Sequence, residues 1–112
     1  MSTMATDEQI QQLAATAKPF SVALLSWADG RHQDGADAIE REHQRRMIGM
    51  HLDGTIAVLC PVPSGPLAGV AVMTKEVDEA TEIMAADPCV QAGMMTVEVH
   101  PCVGFPGDTI PG

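Results

Sequence analysis

"TIAVLCPVPSGPLAGVAVMT", Thr55 to Thr74, is the longest uncharged run in the chain. It is about as long as a membrane span, which takes roughly 20 apolar residues. Its middle, however, holds Pro61, Pro63, Gly65 and Pro66. Proline lacks an amide proton and glycine costs helix stability, so a continuous helix is the poorer reading. Two strands and a turn account for the run better: "TIAVL", then "CPVPSGP", then "LAGVAVMT".

The flanks repeat the alternation of strand and helix. Upstream, "FSVALLSW" (Phe20 to Trp27) reads as a buried strand, and "ADGRHQDGAD" as a polar loop. A helix follows over about Asp37 to Leu52, with Ile39, His43, Met47 and Met50 on one face. Asp53-Gly54 reads as its stop. Downstream, "KEVDEATEIMAA" is a second helix with Val77, Ala80, Thr81 and Met84 on one face and Thr74 as its expected N-cap. "TVEVH" closes as a strand that sends Met95, Val97 and Val99 one way and Thr96, Glu98 and His100 the other. The order β-α-β-β-α-β predicts an α+β, ferredoxin-like fold: a four-stranded antiparallel sheet with helices on one face. The expected division is an N-terminal extension (1–18, a short helix or a frayed end), one domain (19–103) and an irregular tail (104–112). Such a sheet leaves its second face uncovered and partly apolar, which predicts a homodimer through that face.

Composition narrows the function. The 112 residues suit one domain with one core. Hydrophobic residues make up 46% but aromatics only 3%, so packing falls to aliphatic residues and 8 Met. A net charge of −9 opposes binding to nucleic acid or to an anionic membrane. Arg41, Arg45 and Arg46 are interleaved with Glu40 and Glu42 rather than forming a basic stripe. The start "MSTMATDEQIQQ" lacks the pattern of a signal peptide, and the three cysteines include no C-x-x-C pair. Reduced thiols in the cytoplasm are therefore expected.

Few residues offer chemistry. His43 lies on an apolar helix face, where an imidazole needs a partner. It is either a satisfied core histidine or a general base that titrates near neutral pH. Asp87 sits where a helix ends, and the partial negative charge there disfavours a carboxylate. Pro88 biases it away from helical geometry. It either forms an Asx-Pro turn that stops the helix or orients His43, as the acid of a triad orients its histidine. His100 shares a strand face with Glu98; it lines a cleft, meets the dimer partner or pairs with Glu98. Cys89, close to Asp87, is a minor candidate for a nucleophile, the commoner reading being a small buried thiol. His32 and His51 read as surface residues. His43 and His51 lie roughly 80° apart around a helix, and no Cys/His spacing suggests a metal site. No glycine loop of the phosphate-binding pattern is present.

Two blocks together carry a resemblance: "EHQRRMIGMHLDGTIAVLCP", and "EVDEATEIMAADPCVQAGMMTVEVHP" with its DP-x-V-x-AG core and final EVHP. From about Phe20 to Pro101 the chain resembles the YCII-related (YciI-like) family. The resemblance implies a dimeric α+β barrel with a His–Asp pair as its active site, here His43 and Asp87. It also implies chemistry without a cofactor. The family is largely without assigned activity. One branch resembles dehydrochlorinases that eliminate HCl from chlorinated hydroxyquinols, and related barrels act on small cyclic or aromatic molecules. The expected activity is a lyase or isomerase on such a molecule. The alternative is a non-catalytic binding or accessory module with a structural His–Asp bond. Cys60, Cys89 and Cys102 stand where the family has glycine, an aromatic or alanine, and tryptophan, which argues for a roomier pocket. Cys60, Cys89 and His100 are the expected substrate-binding residues.

Overall fold

A computed structural model describes residues 3–112. The domain is α+β and ferredoxin-like. Its four strands are β1 (Lys18–Trp27), β2 (Ile56–Pro61), β3 (Leu67–Met73) and β4 (Met95–Gly104). They form one antiparallel sheet in the order β2-β3-β1-β4. The helices are α1 (Asp7–Ala14), α2 (Ala36–Leu52), α3 (Val77–Ala85) and the single turn α4 (Pro88–Gln91). No helix among the described residues is long and apolar enough to cross a membrane. The Thr55–Thr74 run is a pair of strands, as the prolines require.

Alternation fixes the two faces of the sheet. On β1, Ser21, Ala23 and Leu25 are buried while Val22, Leu24 and Ser26 are half-buried. The buried set meets α2 and α3 over a core that includes Met47, Ile56, Met73, Met84 and Met94. Methionine fills the irregular gaps between helix and sheet that aromatics fill in other cores. Ser21 is the polar member of the buried set on β1, and its hydroxyl donates to the Lys75 carbonyl at 2.9 Å. The opposite face carries Val22 beside Val72, and Leu24 beside Val70 and Glu98. Among the described residues, α2 and α3 pack on the other side, against the buried set.

The strands run further than the sequence suggested. β1 begins at Lys18 rather than Phe20, β2 runs through Cys60 and Pro61, and β4 continues through Pro101 to Gly104. Each added stretch contains a proline, and each proline sits where a missing amide proton costs little. Pro19 pairs with Val103 beyond the end of the β1–β3 ladder, and Pro61 and Pro101 lie on the two edge strands.

Helix ends differ in smaller ways. Thr74 does not cap α3; Glu76 is its N-cap, without a side-chain bond. The Thr74 hydroxyl instead donates to the carbonyls of Gly54 and Thr55, tying the start of β2 to the end of β3. Thr81 is exposed, and Ile83 joins Ala80 and Met84 on the inner face. Gly54 takes φ 85° after α2, the left-handed stop that its DG pair suggested. The loop after β1 contains a 3-10 turn over Asp29–His32. Before β1, α1 is a real helix with a Thr6–Gln9 capping box, yet none of its residues is buried.

Candidate active site

The site is assembled from two elements distant in sequence. His43 stands midway along α2. Asp87 stands in the joint between α3 and α4, with φ −64° and ψ 137°. Proline at position 88 enforces that extended geometry. Asp87 therefore ends one helix and caps the next. Its Oδ2 accepts from the Cys89 amide at 2.9 Å, so the carboxylate faces amide donors rather than helix carbonyls.

The same oxygen binds His43. His43 Nδ1 lies 2.7 Å from Asp87 Oδ2, a distance typical of a charge-assisted hydrogen bond. An ionised carboxylate only accepts, so Nδ1 carries the proton and donates. In the neutral imidazole, Nε2 is then the basic nitrogen, and it has no hydrogen-bond partner among the described residues. Asp87 is fully buried, whereas the His43 side chain keeps 14% of its exposure. The pair thus spans the boundary between core and surface, with acid inside and base outside.

Arg46, one turn along α2 from His43, completes the cluster. Its Nη1 lies 3.7 Å from Asp87 Oδ1, an electrostatic contact rather than a hydrogen bond. Its Nη2 donates to the Ile83 carbonyl near the end of α3. A buried carboxylate is costly unless paired and hydrogen-bonded, and here it meets His43, Arg46 and a main-chain amide. The i, i+3 spacing of His43 and Arg46 is the signal from which the arginine was readable, although its neighbouring glutamates masked it.

His43 opens onto a cleft of about 400 Å³ between α2 and the β1–β3–β2 end of the sheet. Leu25, Met47, Leu59 and Met95 supply apolar walls, and Trp27, Arg31 and Glu40 lie around it. Asp87 is not among the lining residues, so it reaches the cleft only through His43.

The remaining sequence candidates separate. Cys60 lines the cleft and is exposed. Cys89 is fully buried beside Asp87. Burial first, then the charges of Asp87 and Glu40, push its thiol up to about 11. At neutral pH it is a protonated packing group, not a nucleophile. His100 is on the open sheet face, where its Nε2 lies 3.2 Å from Glu98 Oε2; it does not join the His43 cleft. His32 is exposed, and exposed His51 lies with Nδ1 3.0 Å from the Ile56 carbonyl. The fold also brings together donors that sequence spacing did not. Ligand atoms of His43, Asp87 and Cys89 lie within 4.8 Å of one another. Oδ2 accepts two hydrogen bonds, whereas Oδ1 and Arg46 Nη1 face each other at 3.7 Å, buried and without a hydrogen-bond partner among the described residues.

Compared with known proteins, the chain matches no family model and no curated sequence.

Proposed function

We propose that the chain is a YCII-like protein whose cleft performs cofactor-independent proton transfer, with His43 as general base and Asp87 as its orienting acid. The observation that carries this is the 2.7 Å bond from His43 to a fully buried Asp87 at the wall of an apolar cleft. The substrate class is a small cyclic or aromatic molecule, and the reaction is an elimination or isomerisation. His43 Nε2 takes a proton from carbon or oxygen of the ring. Asp87 and the protein dipoles stabilise the imidazolium that forms. In a dehydrochlorination, the electron pair released expels chloride, and His43 hands its proton to solvent.

The test is turnover on a panel of chlorinated hydroxyquinols and cyclic enols, followed by chloride release and by uptake of solvent deuterium. The proposal expects turnover by the wild type, and a His43→Asn variant that folds normally but loses at least about a hundred-fold. Equal turnover by the variant contradicts it.

A second reading has its own support. Asp87 caps α4 and, through His43 and Arg46, joins it to α2, with Arg46 also reaching α3, which is what a purely structural carboxylate does. In that case the module binds ligands without turning them over, and His43→Asn lowers stability alone.

The same proposal includes a homodimer through the open sheet face, where Val22, Leu24, Val70 and Val72 form the apolar centre. Sedimentation should give a dimer for the wild type and a monomer for Leu24→Lys; a monomeric wild type sinks this part.

A further inference from the structure

Arg31 is the cleft residue that the His43–Asp87 pair leaves unused. The chain has only 6 Lys and Arg against 15 Asp and Glu, and among the described residues Arg31 is the one of the six that lines this cleft. Arg45, Arg46 and Lys75 face Glu42, Asp87 and Glu79. Arg31 makes no ion pair among the described residues. Its guanidinium carbon instead lies 4.0 Å from the centre of the Trp27 ring. A guanidinium over an aromatic ring gains a cation–π attraction that uses none of its N–H groups, so they stay available to an anion.

The backbone that carries Arg31 is firmly seated. The Ala28 amide donates to the Met94 carbonyl at 2.8 Å, and the Gly30 amide to the Gly93 carbonyl at 3.0 Å. Gln33 Nε2 donates to the carbonyls of Ala92 at 2.8 Å and Gly30 at 2.9 Å. A Cβ at Gly30 would stand 2.6 Å from the Gly93 oxygen, so only glycine allows the turn to sit this close. Residues 92–94 directly follow α4, which Asp87 caps. One hydrogen-bonded unit thus holds both the cation and the carboxylate that orients the base.

We infer that the cleft takes a small cyclic organic acid, with its carboxylate on Arg31 and its ring against Trp27 and Met47. This rests on the cleft being the working site proposed above, and it names the substrate class. Glu40, one turn before His43 on α2, is the carboxylate that lines the cleft and makes no ion pair with Arg31. It repels an anion from its own wall and so biases the carboxylate toward Arg31.

The experiment uses the full chain and its single tryptophan, Trp27, as the reporter. Fluorescence titrations compare cyclohexanecarboxylate with the neutral cyclohexanecarboxamide. The wild type should bind the acid about ten-fold more tightly than the amide, the scale of a charge-assisted hydrogen bond. Arg31→Met, which keeps an apolar stem on Trp27, should abolish the preference. Arg31→Lys should keep part of it, and Glu40→Gln should enlarge it. Folding of each variant is checked by circular dichroism. His43→Asn should leave the preference intact, so a failed general base and a failed anion anchor give different patterns. The assignment is overturned if neither probe binds at millimolar concentration, if acid and amide bind equally, or if the preference survives in Arg31→Met.

Discussion

Among the described residues, two histidine–carboxylate pairs lie on opposite faces of one sheet. His100 and Glu98 lie two residues apart on β4, exposed, at 3.2 Å. His43 and Asp87 are 44 residues apart, at 2.7 Å, with the acid fully buried. The residue types are nearly the same and the consequences are not. Water competes for both members of the first pair and screens them, and long side chains lose entropy when they associate. In the second, a desolvated carboxylate has nowhere else to place its charge, so it fixes the imidazole. Burial of the acid, rather than the presence of a pair, separates a candidate catalytic histidine from a surface one.

The sharpest way to break this contrast is to remove the buried acid. Asp87→Ala strands His43, Arg46 and the Cys89 amide together, and should cost about 3–5 kcal/mol in urea unfolding. Asp87→Asn keeps the cap and should cost clearly less, because the amide oxygen still accepts from the Cys89 amide. A loss under 1 kcal/mol for Asp87→Ala, on the order of a surface change, would mean that the cluster is not a structural hub.

Thiol chemistry separates the regions next. Cys60, exposed at the cleft, should alkylate readily at neutral pH, while Cys89 should react only on unfolding. The sign of the pH effect follows from the raised thiol. Below the ordinary value of 9.0 both folded and unfolded chains hold the proton. Between 9.0 and about 11 the unfolded chain loses it first, so Cys89 lowers stability as pH rises through that window. Urea melts of the wild type and Cys89→Ala should converge or cross over that range; parallel curves would contradict the shift.

The smallest effect belongs to the exposed pair. His100→Ala should change stability by no more than about 0.5 kcal/mol, as exposed ion pairs usually do. A larger loss would show that the open face is covered and that His100 is buried by a partner.

The fold was largely legible because its evidence is local. Prolines in the Thr55–Thr74 run forced two strands, and the helix faces of Ile39–Met47 and Ala80–Met84 followed from period. Strand ends at Lys18, Pro61 and Gly104 were hidden because proline reads as a breaker, and only the sheet pairing reveals that Pro61 and Pro101 lie on edge strands and Pro19 beyond the end of the β1–β3 ladder. The His43–Asp87 pair was legible as two misfits: a polar group on an apolar face and a charge at the wrong helix end. Arg46 and Arg31 were less so. Arg46 acts through a main-chain carbonyl on α3, and Arg31 through an aromatic ring reached by a loop packed on Gly93. Those contacts exist only once the chain is folded.

The most direct measurement is the ring tautomer of each histidine, read from nitrogen-15 NMR with His43→Gln and His100→Ala for assignment. Near neutral pH, neutral His43 should be held as the Nδ1–H form with Nε2 unprotonated, and Asp87→Asn should release that preference. His100 should show the mixture of an imidazole in water. If His43 instead carries its proton on Nε2, or shows the same mixture as His100, then Asp87 does not orient it and the proposed base does not exist.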